Sequence, residues 1–434
     1  MNKSYEHQIA DFHNQIGATL QIPQIIIHGY RFSCDVEINS DKTLHFYFHP
    51  LIRSFEFDLT INVKNLNDNS IADSVEEHVN IEIDLSDATE LQTSTPVDDS
   101  WLKDDLLTIE FLISPTETDY SPQLEYIFEV LLGQLKGDES LDETAIQWML
   151  GVSERIFLNE PTVVRTKGPA VITGDLHGQM YDMFRIFKTA GNPDEKKYIF
   201  LGDYVDRGYD SLDTFLVLLA YKIKNPNNFI MIRGNHECEE VSSRYGFRDE
   251  ILLKYSASLY NDFIPVFNSL PIGVLIEDSS NNQILCVHGG LSPNISTLKE
   301  IEDIKRPFAP VDGEPSFDLL WTDPSEEVED FGPSPRGSSF IFGVKPTKKF
   351  LEENNLKLIV RAHQMMPEGY GYNLGEESGI LTVFSASDYS NGKNKGGFMI
   401  IDENAQIHLN NYSPLDKNEL EEFQSFNLAE WLEK

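Results

Sequence analysis

Five short polar strings in this chain hold side chains that can bind metal ions and phosphate. They are Gly-Asp-Leu-His-Gly at 174–178, Gly-Asp-Tyr-Val-Asp-Arg-Gly at 202–208, Gly-Asn-His-Glu at 234–237, His-Gly-Gly at 288–290 and Arg-Ala-His at 361–363. Oxygen and nitrogen donors without thiolates suit manganese, iron or zinc. A carboxylate can bridge two such ions, and ions about 3.5–4 Å apart would acidify a shared water and clamp a phosphoryl group. The strings therefore predict a two-metal site for phosphoester chemistry.

The first three strings each follow a run of β-forming residues. These runs lie at 170–173, 198–201 and 229–232, and helical patterns at 180–188 and 211–224 separate them. A β-α-β-α-β unit builds a parallel sheet whose ligands lie outside the carboxyl ends of its strands. We therefore expect the polar side chains to gather at one rim of that sheet.

The second half of the chain carries the remaining two strings. Helical patterns lie at 241–254 and 259–268, and the predicted strands that follow lie at 272–276, 284–287, 356–360, 380–384, 398–401 and 407–411. The string that begins at His288 follows the second of these strands, and the string Arg361-Ala362-His363 follows the third. Both histidines are therefore expected to complete the same site.

The N-terminal part has a different pattern. Apolar and polar residues alternate at 55–63 and 81–85, and further strands are predicted at 32–38, 44–48 and 107–113. Short strands between polar turns favour a small antiparallel β-sandwich.

These patterns divide the chain into segments. Residues 1–20 are predicted as an N-terminal extension, 21–115 as the β-sandwich domain, and 116–122 as a linker; within the extension, 1–19 are expected to form a short helix or to fray. Residues 123–434 form the second domain, which opens with helices predicted at 124–135 and 141–159. Ser140 with Glu143 fits a capping box for the later of these two helices.

Composition narrows the class of protein. The chain has 434 residues and a net charge of −37, which argues against binding to a nucleic-acid backbone. Cys34, Cys238 and Cys286 are too few and too scattered for a disulfide framework. No stretch has the pattern of a membrane span or a signal peptide. We expect a reducing, intracellular setting: the cytoplasm, with the nucleus as the alternative.

The strings also carry a resemblance. GDLHGQ, GDYVDRG, RGNHE, LCVHGGLSP, LLWTDP, RGSSFIFG, VRAHQ and FSASDY resemble the catalytic domain of the phosphoprotein phosphatase family of Ser/Thr phosphatases. This family is a branch of the metallophosphoesterases that includes calcineurin, and the resemblance spans about 124–414. It implies a four-layer α/β (α+β) fold in which helices flank a central β-sandwich. It also implies hydrolysis of phosphoserine and phosphothreonine in proteins.

The resemblance implies metal ligands. Asp175, His177 and Asp203 would hold one ion, and Asp203, Asn235, His288 and His363 would hold the other, with Asp203 bridging. The implied cofactors are two divalent ions, with manganese expected and iron or zinc as alternatives. A hydroxide shared by the two ions would attack phosphorus directly.

Further roles follow from the same resemblance. Arg207 and Arg336 would bind phosphate oxygens, which a planar guanidinium suits, and Asn235 and Tyr389 would also contact substrate. His236 would protonate the departing oxygen as general acid, and Asp206 would orient it.

The loop at 385–390 departs from the family string. It reads Ser-Ala-Ser-Asp-Tyr-Ser, so Ser387 replaces Pro, Asp388 replaces Asn, and Ser390 replaces a residue that is Cys in several members. Lys393 and Lys395 follow in a turn rich in Asn and Gly. The expectation is a looser and differently charged loop.

A second resemblance concerns residues 101–113, WLKDDLLTIEFLI. This string resembles the closing strands of MATH (TRAF-like) domains, which bind peptides in partner proteins. It implies a regulatory or targeting partner for residues 21–115. The alternative is a β-sandwich that serves as a spacer or as a regulatory cover.

The sequence leaves two alternatives to a protein phosphatase open. One is an inactive scaffold (a pseudophosphatase), whose expected mark is a lost metal ligand. The other is the same metal core acting on a small phosphoester or a dinucleoside polyphosphate. The expected partners are phosphoprotein substrates, with neither nucleic acid nor a membrane span.

Overall fold

The computed structural model describes most of the chain from residue 140 onward and separate strands before it. The described residues are 4–9, 19–27, 30–39, 44–50, 56–65, 70–80, 89–92, 107–115, 124, 127–128, 130–131, 140–416 and 419. The chain splits into two compact units. The first comprises Met1–Pro122 with Asp142–Arg155, and the second comprises Gln123–Leu141 with Ile156–Lys434.

The N-terminal strands form two four-stranded antiparallel sheets, ordered β1-β8-β5-β6 and β2-β3-β4-β7. Their bounds are β1 (Ser4–Ile9), β2 (Thr19–Ile27), β3 (Tyr30–Ile38), β4 (Leu44–Pro50), β5 (Glu56–Asn65), β6 (Ser70–Asn80), β7 (Thr89–Gln92) and β8 (Leu107–Pro115). The strands predicted at 32–38, 44–48 and 107–113 are confirmed, and so is the one predicted at 55–63 from residue 56 onward, whereas 55 and 81–85 lie outside the described residues. The segment boundaries at 20, 115 and 122 stay predictions.

The helix or frayed end predicted for the first residues is wrong where the structure describes them. Ser4–Ile9 forms β1 and pairs antiparallel with β8, so that Tyr5 lies opposite Phe111. Pairing with a distant strand stabilises an extended conformation that local propensity alone does not specify.

The second unit is built on two sheets. One has five strands in the order β12-β11-β10-β21-β22, and the other has six in the order β19-β20-β18-β14-β13-β9. Their strands are β9 (Val163–Lys167), β10 (Ala170–Thr173), β11 (Tyr198–Phe200), β12 (Phe229–Met231), β13 (Gly273–Glu277), β14 (Gln283–Val287), β18 (Leu358–Arg361), β19 (Tyr370–Gly371), β20 (Ile380–Val383), β21 (Gly396–Ile401) and β22 (Ile407–Tyr412). β10, β11 and β12 are parallel neighbours, which confirms the predicted β-α-β-α-β unit.

A small third sheet and nine α-helices have bounds that the structure describes, in addition to helical residues between 124 and 131. The third sheet is formed by β15 (Asp323–Pro324), β16 (Phe331–Pro333) and β17 (Phe340–Phe342). The helices are α1 (Glu143–Asn159), α2 (Met180–Ala190), α3 (Ser211–Lys224), α4 (Glu239–Ser242), α5 (Phe247–Lys254), α6 (Ala257–Ser269), α7 (Leu298–Glu302), α8 (Pro315–Trp321) and α9 (Val344–Glu353). The described residues of the segment predicted as a helix at 124–135 are helical.

The two large sheets face each other across one apolar core. Ile172 and Ile199 of the five-stranded sheet share a buried cluster with Val274 and Ile284 of the six-stranded sheet. On the outer faces, Phe187 of α2 contacts Tyr198 edge-on, and residues of α8 and α9 pack with those of β13 and β14. This helix-sheet-sheet-helix arrangement confirms the four-layer fold.

Two helix predictions need correction. The single helix predicted at 241–254 is interrupted, because Gly246 takes a φ of +126° between α4 and α5, where the left-handed backbone region suits glycine. The helix predicted at 141–159 begins at Glu143, and Asp142 rather than Ser140 supplies the cap. Its Oδ1 accepts a hydrogen bond from the Ala145 N–H at 2.8 Å.

Within the described part of the chain, none of the helices combines the length and the apolar character that crossing a membrane requires.

Gly174, which follows β10, lies against the backbone of Val383 at the end of β20. A Cβ at this position would lie 2.0 Å from the Val383 carbonyl oxygen, so backbone would have to move. We expect Gly174→Ala to lower the free energy of unfolding by about 1–3 kcal/mol, the usual cost of overpacking. Denaturant unfolding measures this. Gly168→Ala is the control, because its Cβ would meet its nearest atom at 3.7 Å; equal losses in both variants would contradict the prediction.

Candidate active site

The first two polar strings are joined to each other through their backbones. The N–H groups of Leu176 and His177 both donate to the Asp203 carbonyl oxygen at 2.9 Å. His177 and Asp203 take positive φ values of 45° and 55°, which turn their side chains away from the ordinary direction of a strand. Gly208 lies against this turn, where a Cβ would stand 2.2 Å from the His177 carbonyl oxygen.

His177 lies between two carboxylates. Its Nε2 is 3.6 Å from Asp175 Oδ2 and 3.5 Å from Asp203 Oδ2. Its Nδ1 is 3.0 Å from the Val205 carbonyl oxygen, which can only accept, so Nδ1 carries hydrogen and Nε2 faces the carboxylates. Burial opposes a charge on this ring, but the two carboxylates outweigh it and raise the pKa of His177 to about 9.

The second half of the chain brings two more histidines to Asp203. His288 Nδ1 lies 2.8 Å from the Leu201 carbonyl oxygen, and its Nε2 is 3.3 Å from Asp203 Oδ1 and 2.9 Å from Asn235 Oδ1. The His363 ring meets the His288 ring at a centroid distance of 5.0 Å. Asp203 thus directs one oxygen toward His177 and the other toward His288.

The donor atoms fit two divalent cations. Ligand atoms of His177, Asp203 and His236 lie within 4.8 Å of one another, and so do those of Asp203, His288 and His363. Asp175 Oδ2 and His363 Nε2 are buried atoms to which the described residues offer no hydrogen-bond partner. Both are atoms that a metal ion would bind.

Two pKa shifts, those of Asp203 and His363, agree with that fit. Burial opposes the charge of Asp203, yet His288 and His236 hold the pKa of this carboxyl well below its usual range. Burial and the charge of Arg336 hold the pKa of His363 well below its usual range, so its imidazole is neutral and offers a lone pair. An ionised carboxylate beside a neutral imidazole is the state that binds metal.

His236 is the one member of these clusters that the sequence assigns to acid catalysis rather than to a metal. Its Nδ1 lies 2.6 Å from Asp206 Oδ2, and its Nε2 is 4.0 Å from Asp203 Oδ2. Asp206 is itself fixed, because its Oδ1 accepts from the Phe247 N–H at 2.9 Å. The predicted acid and its predicted orienting partner are therefore hydrogen-bonded.

The predicted phosphate-binding arginines stand at the open side of the site. Arg207 is exposed, and its guanidinium lies 4.1 Å from the centroid of the Tyr245 ring. Arg336 is 36% exposed and donates from Nε to Asp323 Oδ2 at 2.6 Å. Burial raises the pKa of Tyr389 to about 12, while the charges of Arg207 and Arg336 oppose the rise, so both arginines act on the same ring.

Asp323 and Arg361 position Arg336 without having been assigned a role from the sequence. Asp323 Oδ1 accepts from Arg361 Nη2 at 2.9 Å, while Oδ2 receives Arg336. Arg361 is fully buried and also donates from Nε to the Gly289 carbonyl oxygen at 2.6 Å. Both residues lie within the strings VRAHQ and LLWTDP, which is the signal that could have found them.

Glu237 is a third residue whose role the sequence did not predict. Its carboxylate accepts from the Asp203 and Tyr204 N–H groups at 2.8 Å and from the Gly234 N–H at 2.9 Å. Burial and the charge of Asp203 raise the pKa of Glu237 to about 7. This buried side chain ties the second string to the third.

Tyr389 covers the His177 side of the site. The two rings stack with centroids 4.9 Å apart and an interplanar angle of 27°. The loop that carries Tyr389 is expected from its sequence to be loose, but the structure holds it by hydrogen bonds. Buried Asn394 accepts from the Tyr389 N–H and donates to the Ala386 carbonyl oxygen, both at 2.8 Å.

Comparison with known proteins identifies the family. The calcineurin-like phosphoesterase family matches residues 168–367. A protein serine/threonine phosphatase from Saccharomyces cerevisiae, described as similar to human phosphatase PP5, is 32% identical. The match covers 67% of this chain and 96% of that one, with a TM-score of 0.62. The chain belongs to the phosphoprotein phosphatase family.

Two solved structures resemble this phosphatase less. A cold-active protein-tyrosine phosphatase from a psychrophilic Shewanella species is 15% identical, with 58% of this chain and 83% of that chain covered and a TM-score of 0.39. A structure described as a putative diadenosine tetraphosphatase is 12% identical, with 58% and 99% covered and a TM-score of 0.35. Family membership rests on the yeast enzyme, and it makes this phosphatase a hydrolase of phosphoesters that uses divalent metal ions.

Glu237 offers a test of how the site is held. In Glu237→Gln the amide oxygen can still accept, but the amide NH₂ faces an N–H donor. We expect the free energy of unfolding to fall by about 1–3 kcal/mol and metal affinity to fall about 10- to 100-fold. Denaturant unfolding and metal titration measure these effects. Glu240→Gln is the control, since Glu240 is exposed and pairs with Arg244 at the surface. If Glu237→Gln had the stability and metal affinity of the wild type, Glu237 would not be what holds the second and third polar strings together.

Proposed function

We propose that this phosphatase removes phosphate from phosphoserine and phosphothreonine in proteins, with two divalent metal ions at Asp203. The observation that carries the proposal is the position of Asp203, whose two carboxylate oxygens face His177 on one side and His288 on the other. The proposed ligands are Asp175, His177, Asp203, Asn235, His288 and His363.

Bound ions would supply positive charge beside the phosphoryl group and acidify a water molecule. The protein fixes the orientation of the side chains that would bind these ions. Backbone carbonyl oxygens lie at hydrogen-bond distance from Nδ1 of His177 and of His288, which leaves Nε2 of each ring for an ion. Manganese is the proposed ion, and iron and zinc accept the same donor types.

Arg207 and Arg336 would bind the phosphate oxygens from the solvent side. A guanidinium offers two parallel N–H groups to a phosphate, and its charge offsets the charge that develops in the transition state. Arg336 uses Nε on Asp323 and directs Nη2 to the His363 carbonyl oxygen at 3.5 Å, a long contact that a phosphate oxygen can replace. Asn235 and Tyr389 would complete the contacts with substrate.

His236 would donate the proton that the departing seryl or threonyl oxygen needs. The hydrogen bond between its Nδ1 and Asp206 fixes the ring, which leaves Nε2 to deliver the proton. Asp206 is fully buried, so the partner that orients the ring is itself held inside the protein.

Protein substrates are supported by similarity across the whole catalytic unit. The yeast enzyme, whose name describes a protein serine/threonine phosphatase, is covered over 96% of its length. The similarity therefore includes the second half of that unit, which holds the proposed phosphate-binding residue Arg336 and its partner Asp323.

Two variants separate the proposed roles of metal binding and acid catalysis. Asp203→Asn should lose bound metal and activity on all phosphoesters, because the shared carboxylate is gone. His236→Asn should keep its metal and lose about a hundred- to ten-thousand-fold in kcat on a phosphoserine peptide. Its loss on p-nitrophenyl phosphate should be much smaller, since nitrophenolate departs without a proton.

The assays are metal analysis and steady-state kinetics on both substrates. Equal losses on the two substrates in His236→Asn would remove the acid role. A metal-loaded wild-type chain that is inert toward several phosphoproteins would remove the proposed protein specificity.

A further inference from the structure

The loop at 385–397 is fixed by a buried acid on α2 that the proposed mechanism does not use. Asp182 is 3% exposed. Its Oδ2 accepts a hydrogen bond from the Ser387 N–H at 2.7 Å, and its Oδ1 lies 3.3 Å from Arg185 Nη1. Asp182 therefore connects the helix that follows the first polar string to the loop above the site, 205 residues away in sequence.

Arg185 links this contact to a second one at the start of the loop. Its Nη1 also donates to the Ser413 carbonyl oxygen at 2.8 Å, and its guanidinium lies 4.6 Å from the centroid of the Tyr412 ring. The Tyr412 hydroxyl donates to the Ser385 carbonyl oxygen at 2.5 Å. Asp182 and Tyr412 thus hold Ser387 and Ser385, the two residues from which the loop departs.

The loop needs such restraint because its backbone is strained. Asp388, Ser390, Asn391 and Lys393 take positive φ values of 48°, 51°, 60° and 57°. None of them is glycine, and residues with side chains enter this region at a cost. A conformation of this kind persists when surrounding contacts determine it.

The restraint passes directly to the ring above the metal site. Ser387 is held by Asp182, and the next two residues are held by Asn394: the Asp388 N–H donates to its carbonyl oxygen at 2.9 Å, and the Tyr389 N–H to its side chain at 2.8 Å. Tyr389 then stacks on His177. Three consecutive residues, 387–389, therefore connect Asp182 to the ring that stacks on His177.

The sequence departure at Ser387 is what makes this hydrogen bond possible. Proline, which the family string has at this position, carries no N–H group and could not donate to Asp182. Burial raises the pKa of Asp182, because it disfavours the charged carboxylate. The hydrogen bonds from Ser387 and the charge of Arg185 oppose this rise.

We propose that Asp182 is a positioning residue for substrate: through the Ser387 N–H it holds the Tyr389 ring against His177 and so sets the KM for phosphopeptides. This inference rests on the proposed function for its choice of substrate. It does not rest on it for the coupling between Asp182 and Tyr389, which a small phosphoester also reports.

The test is a double-mutant cycle of Asp182→Ala and Tyr389→Ala, with kcat and KM for a phosphoserine peptide and for p-nitrophenyl phosphate. Asp182→Ala should raise the peptide KM about tenfold, the effect of losing one hydrogen bond to a charged group, and raise the KM for the small substrate less. On both substrates the double variant should be no worse than Tyr389→Ala alone, because the two residues act through one ring.

Matched variants separate positioning from general destabilisation. Asp182→Asn keeps an oxygen that accepts the Ser387 N–H and should recover most of the wild-type KM. Ser387→Pro removes the donor instead of the acceptor, and it replaces Asp182→Ala in the cycle if that variant does not fold. Asp194→Ala, which removes a surface acid that pairs with Lys224, is the control and should leave KM unchanged.

Effects of Asp182→Ala and Tyr389→Ala that multiply in full would overturn the proposal, and so would a fall in kcat with no change in KM. A wild-type chain that hydrolyses p-nitrophenyl phosphate but not the peptide would overturn the proposed function instead. The cycle on the small substrate would then still decide whether Asp182 positions Tyr389.

Discussion

The buried carboxylate of Asp203 is the group on which the rest of the site depends. Burying a charge is costly unless partners of opposite charge and hydrogen-bond donors surround it. Asp203 Oδ1 accepts from the His236 N–H at 2.9 Å and faces His288, while its Oδ2 faces His177. With Asp175 and Glu237 also buried nearby, the site gathers carboxyl groups beside which divalent cations would bind.

Both large sheets supply residues to the site around Asp203. The five-stranded sheet supplies Asp175 and Asp203 at the ends of neighbouring parallel strands, and the six-stranded sheet supplies His288 and His363. Several hydrogen bonds join the two halves, among them one from the His363 N–H to Asp175 Oδ1 at 2.8 Å and one between His288 Nδ1 and the Leu201 carbonyl oxygen at 2.8 Å. Rigid strand ends hold these donors more precisely than free loops would, which is what metal binding requires.

Much of this site could be predicted because its signals are local. A run of β-forming residues followed by Gly-Asp places a carboxylate at a strand end, and the parallel order of β10, β11 and β12 then brings successive strings to one rim. Contacts between distant parts of the chain could not be predicted in this way. Arg361 reaches Asp323, and Asp182 reaches Ser387, through tertiary packing that no local pattern encodes. The expectation of a loose loop at 385–390 is wrong for the same reason: the contacts that restrain it come from Asp182 and Asn394, which the local sequence of the loop does not show.

The central claim is that Asp203 bridges two metal ions. Electron paramagnetic resonance of the manganese-loaded protein, combined with metal analysis, tests it most directly, because two manganese ions that share a ligand are magnetically coupled. We predict two ions per chain and the spectrum of an exchange-coupled pair. One ion per chain, or two ions with the spectra of isolated manganese, would contradict the account.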